Sequence, residues 1–193
     1  LYLEGSAAGA LTDVRFETNV AAGNGGALRA VGSSVVFLEA CTFEGNTADA
    51  GGAISLEDGS ALWDDGSTLT DNESTAAGGA IQVTTGASLA LDATIVSSNT
   101  ARSDGGGLYV AEGTVDGRGI EVTFNLARNG SGGGLHVATG TLTVTDGRVE
   151  GNEARLGSGG GVYSEGAASF STTRFTDNVA RDDGGALWLS GVG

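Results

Sequence analysis

Apolar residues in this chain recur as alternating pairs, each pair enclosing one position of a different character, and the pairs themselves return along the sequence. One set reads Leu28/Ala30, Ile54/Leu56, Ile81/Val83, Leu108/Val110, Leu135/Val137, Val162/Ser164 and Leu187/Leu189. A period of two predicts strands with one buried face and argues against helices. After a glycine comes a second set, Val36/Leu38, Leu89/Leu91, Leu142/Val144 and, more weakly, Ala168/Phe170. The third set lies ahead of an asparagine: Val14/Phe16, Cys41/Phe43, Ser67/Leu69, Thr94/Val96, Ile120/Val122 and Thr173/Phe175. Three short strands per repeat are therefore expected.

Three markers keep these sets in register. Gly-Gly pairs begin at Gly25, Gly51, Gly78, Gly105, Gly132, Gly159 and Gly184, nearly all 26 or 27 residues apart. Asn19, Asn46, Asn72, Asn99, Asn125, Asn152 and Asn178 form a second column, and Gly5, Gly32, Gly59, Gly86, Gly113, Gly140 and Gly166 a third. A repeat this regular means one supersecondary unit stacked on itself. Ankyrin, tetratricopeptide and leucine-rich repeats need helical spacing or a leucine consensus absent here, and a propeller blade is longer, about 40 residues.

What remains is an all-β fold, a single-stranded parallel β-helix of about seven coils, in which each strand pairs with its own copy one coil on. At roughly 4.8 Å per strand the coils make a rod about 34 Å long. A right-handed path is expected, because strand-to-strand connections of that hand dominate. Residues 1–193 form one such domain. Its first residues, Leu1-Tyr2-Leu3, align with mid-repeat Leu28-Arg29-Ala30, and it closes in mid-repeat at Gly193, so a segment of a longer protein is expected. The asparagines are expected at left-handed turn positions, with their amides stacked as a ladder along the axis. The Gly-Gly columns mark bends where a Cβ would clash.

Composition narrows the picture. Gly supplies 36 of 193 residues and Pro none, which suits a chain that turns often while every backbone N–H joins a ladder. The glycines do not fall every third residue, so collagen is excluded. The net charge of −15, with every basic residue an arginine, repels nucleic acid and anionic membrane. No apolar run approaches the ~20 residues of a membrane span. The single cysteine, Cys41, can form no intrachain disulfide and falls at an inward position.

Gly-Gly-Ala-Leu/Ile at 25–28, 51–54, 78–81 and 184–187 accompanies Phe-x-x-Asn at Phe16/Asn19, Phe43/Asn46 and Phe175/Asn178. This combination resembles the repeat of the chlamydial polymorphic outer-membrane proteins and related bacterial β-helix surface proteins. The other repeats depart from it: Gly replaces Ala at 107, 134 and 161, and Leu69, Val96, Val122 and Val149 stand where Phe would. The resemblance implies a secreted, autotransported passenger that acts in adhesion at the cell surface.

Catalysis on this fold needs carboxylates converging on the outer side of a strand. The central outward column of the first strand reads Tyr2, Arg29, Ser55, Gln82, Tyr109, His136, Tyr163 and Trp188, without an acid. Beside it Glu57 and Glu165 stand four coils apart, roughly 19 Å, whereas glycosidase carboxylates sit about 5 to 9.5 Å apart. Asp64-Asp65 and Asp182-Asp183, with Asp49, Asp58 and Asp104 in turns, read as a solvated acidic rim. Calcium wants about six to eight oxygens around one point, and no acidic ladder provides them; no cofactor is expected, calcium being the one cation the rim leaves open. His136, the only histidine, has no evident metal-ligating partners. The candidate binding feature is the outward aromatic column Tyr109, His136, Tyr163 and Trp188, whose rings could stack on one another or form a strip for sugar or protein.

The expected role is a non-catalytic structural or adhesive segment of an extracellular bacterial protein, secreted or associated with the outer membrane. Its partner would be a glycan or protein on a host or neighbouring cell, with end-to-end or lateral self-association open to it. The alternatives are part of a carbohydrate-active enzyme whose catalytic residues lie outside this segment, or a subunit of a surface filament or sheath.

Overall fold

The computed structural model of the chain describes residues 1–190. Each lap contributes strands to four parallel sheets, which hold eight, seven, seven and six strands. The third lap shows the unit: Ile54–Glu57, Ala61–Asp65, Thr68–Thr70 and Glu73–Ser74. The sheets are called first to fourth in that order. Neighbours in every sheet are copies one lap apart, as Ile54 lies opposite both Leu28 and Ile81. A parallel β-helix results, and no helix occurs among the described residues.

The fourth sheet departs from the three strands expected. Its members, such as Thr47–Ala48 and Leu126–Ala127, are two residues long. Two residues cannot display an alternation, so hydropathy gave no sign of them.

Inside the coil, side chains of like kind stack in columns. Leu28, Ile54, Ile81, Leu108, Leu135 and Val162 run through the first sheet, each at most 2% exposed. Burying one such side chain contributes ~1.5–3 kcal/mol before entropy is counted. Phe16 and Phe43 stack with centroids 4.8 Å apart in the third sheet. Cys41 is buried as a free thiol.

The corners explain the glycines. Gly51 has φ +59°, and a Cβ there would run into the carbonyl of Ile54. At Gly52 it would strike the carbonyl of Gly79 in the next lap. One glycine of the pair serves the turn and the other the close approach of laps.

The asparagine corners work differently from the sequence expectation. The left-handed residue is the one before each asparagine: Thr18, Gly45, Asp71, Ser98, Phe124, Gly151 and Asp177, with φ between 53° and 63°. Asparagine follows the bend and turns its amide inward. Each Oδ1 from Asn46 to Asn178 accepts from the previous asparagine twice, from its backbone N–H at 2.9–3.1 Å and from its Nδ2 at 2.8–3.0 Å. From Asn46 to Asn178 each Nδ2 also donates to a carbonyl of the previous lap, as Asn99 does to Leu69. Asn46, Asn72, Asn99, Asn125 and Asn152 are at most 1% exposed.

Asp64 is a second departure. It shares an inward column with Leu38 and Leu91, and only Asp65 faces the solvent. The chain cannot expose both of two consecutive strand residues on one face, so Asp64 belongs to the interior and not to the acidic rim. Its Oδ2 accepts from the Thr94 hydroxyl and the Ser67 N–H, while Oδ1 has no partner. Burial pushes its carboxyl above the usual range, against the hydrogen bonds from Ser67 and Thr94.

Candidate functional site

Because strands pair in register with their own copies, the central outward residues of the first sheet form a straight file. Tyr109 lies opposite His136, His136 opposite Tyr163, and Tyr163 opposite Trp188. Their rings stack in succession, with centroids 5.2, 4.8 and 4.3 Å apart and interplanar angles of 30°, 26° and 4°. Strand spacing matches ring spacing, so a column of aromatics in a parallel sheet turns its faces on itself. Neighbouring rings cover the faces of His136 and Tyr163.

His136 is only 7% exposed. Its Nδ1 approaches the Ser131 carbonyl at 3.3 Å and Asp104 Oδ1 at 3.6 Å. Burial drives its pKa below the ordinary imidazole value despite the opposing pull of Asp104 and the Ser131 carbonyl. At neutral pH it is an uncharged rung. Burial, with the charges of Asp104 and Glu165, also raises the Tyr109 phenol. The Tyr163 hydroxyl donates to Glu165 at 2.9 Å, and its pKa is pushed up to about 12 by burial and by that carboxylate. Each of these shifts favours the uncharged ring.

At the other end of the same face the file becomes ionic. Arg29 grips Glu57 through two nitrogens, at 3.0 and 2.7 Å, while Asn24 and Ser55 also donate to Glu57 at 2.9 and 2.8 Å. Burial pushes the Glu57 carboxyl up, but these donors and the guanidinium charge outweigh it and hold the pKa at about 2. Glu57 and Glu165 thus have separate partners and do not meet in one site. Among the described residues no three His, Cys, Asp or Glu side chains converge as a metal site.

The outer face of the second sheet carries a pair that the sequence reading did not single out. Phe37 and Trp63 lie in register and stack at 5.2 Å and 14°. Both are about half exposed. Aligning the incomplete second strand of the third lap, Leu62/Asp64, with Val36/Leu38 would have revealed them, but the acid at an apolar position hid that strand.

The family model described as "Right handed beta helix region" matches residues 1–146. The chain belongs to the right-handed β-helix family, and its laps take the right-handed path that the family's description states. No match was found among the curated proteins or among the solved structures.

Proposed function

We propose that this chain is a non-catalytic structural and adhesive segment of a bacterial cell-surface or secreted protein, a stiff rod that sets distance and presents side chains from its outer faces. One observation carries the reading. The side chains that repeat from lap to lap, the asparagine ladder and the aliphatic columns, lie inside, whereas the outward columns change character along the axis, from ionic at Arg29/Glu57 to aromatic at Tyr109–Trp188. Such a scaffold holds its shape with its interior and leaves its surface free to vary. The resemblance to polymorphic outer-membrane repeats supports the same reading.

The test is a binding assay with the purified chain on glycan arrays and on cultured host cells, run beside incubation with acidic polysaccharides. Binding without release of unsaturated or reducing ends is the expected result. Product release that depends on the chain would overturn the reading in favour of an enzyme.

A further inference from the structure

The Phe37/Trp63 pair differs from the first sheet's aromatic file in having uncovered ring faces. The file of outward residues runs Ala10, Phe37, Trp63, Ala90 on four consecutive strands. Phe37 and Trp63 cover one face of each other, and the alanines beyond them are too short to cover the opposite faces. Each free face opens on a cleft. One, of about 260 Å³, is lined by Ala10, Thr12, Phe37, Glu39 and Asp65. The other, of about 250 Å³, is lined by Trp63, Ala90, Asp92, Asp116 and Arg118.

Charge decides what these clefts suit. Glu39, Asp65 and Asp92 are exposed and stand on three adjacent strands, two residues along from the aromatic file. Like charges so placed repel. Five arginines, Arg15, Arg29, Arg128, Arg148 and Arg155, pair with acids elsewhere, and among the described residues none of these three carboxylates has an ion-pair partner. A ring face bordered by unpaired carboxylates is complementary to a guanidinium or ammonium group. Arg118, in register beside Asp92, offsets part of the charge at the second cleft, and a neutral sugar would leave the rest uncompensated.

The spacing adds a second constraint. From Ala10 to Ala90 is three strand separations, roughly 14 Å, and in an extended peptide side chains four residues apart share a face at about 14 Å. We infer that this face docks an extended basic segment of a partner protein, with two arginine or lysine side chains four residues apart seated in the two clefts. The residue midway between them lies across the edges of Phe37 and Trp63. This deepens the adhesive reading by naming a partner chemistry, and it rests on that reading.

The probe is the capped peptide Arg-Ser-Leu-Ser-Arg, titrated into the whole chain by calorimetry, with Arg-Ser-Arg and Glu-Ser-Leu-Ser-Glu for comparison. The first should bind at least tenfold more tightly than either, and its affinity should fall as salt is raised. Phe37→Ala with Trp63→Ala, and separately Glu39→Gln with Asp65→Asn and Asp92→Asn, should each weaken it at least tenfold while circular dichroism stays unchanged. These positions are exposed, so the fold does not depend on them. Equal affinity of the variants, equal affinity for the acidic peptide, or occupation of this face by calcium or a neutral oligosaccharide in place of the peptide would overturn the inference. Retained cell or glycan binding with no peptide binding would sink this inference alone, whereas polysaccharide cleavage would sink the broader reading.

Discussion

The asparagine ladder and the group of polar atoms around Asp64 are both sealed inside the coil, yet they satisfy their hydrogen bonds very differently. Asn99 donates to the Leu69 carbonyl and to Asn125 Oδ1, and accepts from the backbone and side chain of Asn72. Asp64 has partners for Oδ2 and none for Oδ1. The difference lies in repetition. An amide is donor and acceptor at once, so a column of amides completes itself lap after lap. A carboxylate only accepts, and its column neighbours, Leu38 and Leu91, have nothing to donate.

The sharpest way to break this contrast is Asn99→Ala. It would leave the Asn72 N–H and one N–H of the Asn72 amide buried without an acceptor, at about 1–3 kcal/mol for each orphaned group before relaxation, and take from the Leu69 carbonyl the hydrogen bond that Asn99 donates. The expected loss is about 4 kcal/mol in urea unfolding followed by circular dichroism, and a loss under about 1 kcal/mol would mean that the ladder is incidental. Thr94→Val comes next. Taking the hydroxyl from Asp64 Oδ2 should cost about 2 kcal/mol, read in the same way.

Asp64→Asn tests the other side through pH. The folded-state pKa of Asp64 is raised, so the native state holds its proton more tightly than the unfolded chain does. Stability from this group is therefore greatest below the unfolded carboxylate value and falls as pH rises through the folded value. An asparagine does not titrate. Relative to wild type, the variant should gain as pH is raised from about 4 to 7, and parallel profiles for the two proteins would contradict a raised pKa at buried Asp64. The smallest effect is expected at Asn19→Ala. Asn19 donates to Asn46 but is exposed, so the cost should stay below about 1 kcal/mol, measured against Asn99→Ala in one denaturation series.

The fold was legible because every lap repeats the same physical problem and solves it with the same residue types. The columns of Gly-Gly, Asn and alternating aliphatics, and the inward place of Cys41, could be aligned by eye. What hid was whatever lacked a periodic signature. The left-handed corner is filled by Thr18, Gly45, Asp71, Ser98 and even Phe124, a set with no common chemistry, so the bend was credited to the invariant asparagine beside it. The Phe37/Trp63 pair was missed for the converse reason, since aromatics occupy that file in only two laps. For the aromatic file of the first sheet, sequence showed which rings would be neighbours. Of the two uses the sequence left open for them, stacking and a binding strip, the structure shows the stacking.

The ladder also has a direction. From amide to amide, every rung donates toward the later lap and accepts from the earlier one, so the amides point the same way along the axis, like arrows threaded on a wire. An inserted lap with asparagine in register would take from one neighbour and give to the next without altering either. The gene can therefore lengthen this rod by copying 26 or 27 codons at a stroke, and an insertion that puts the next asparagine out of register would break the thread.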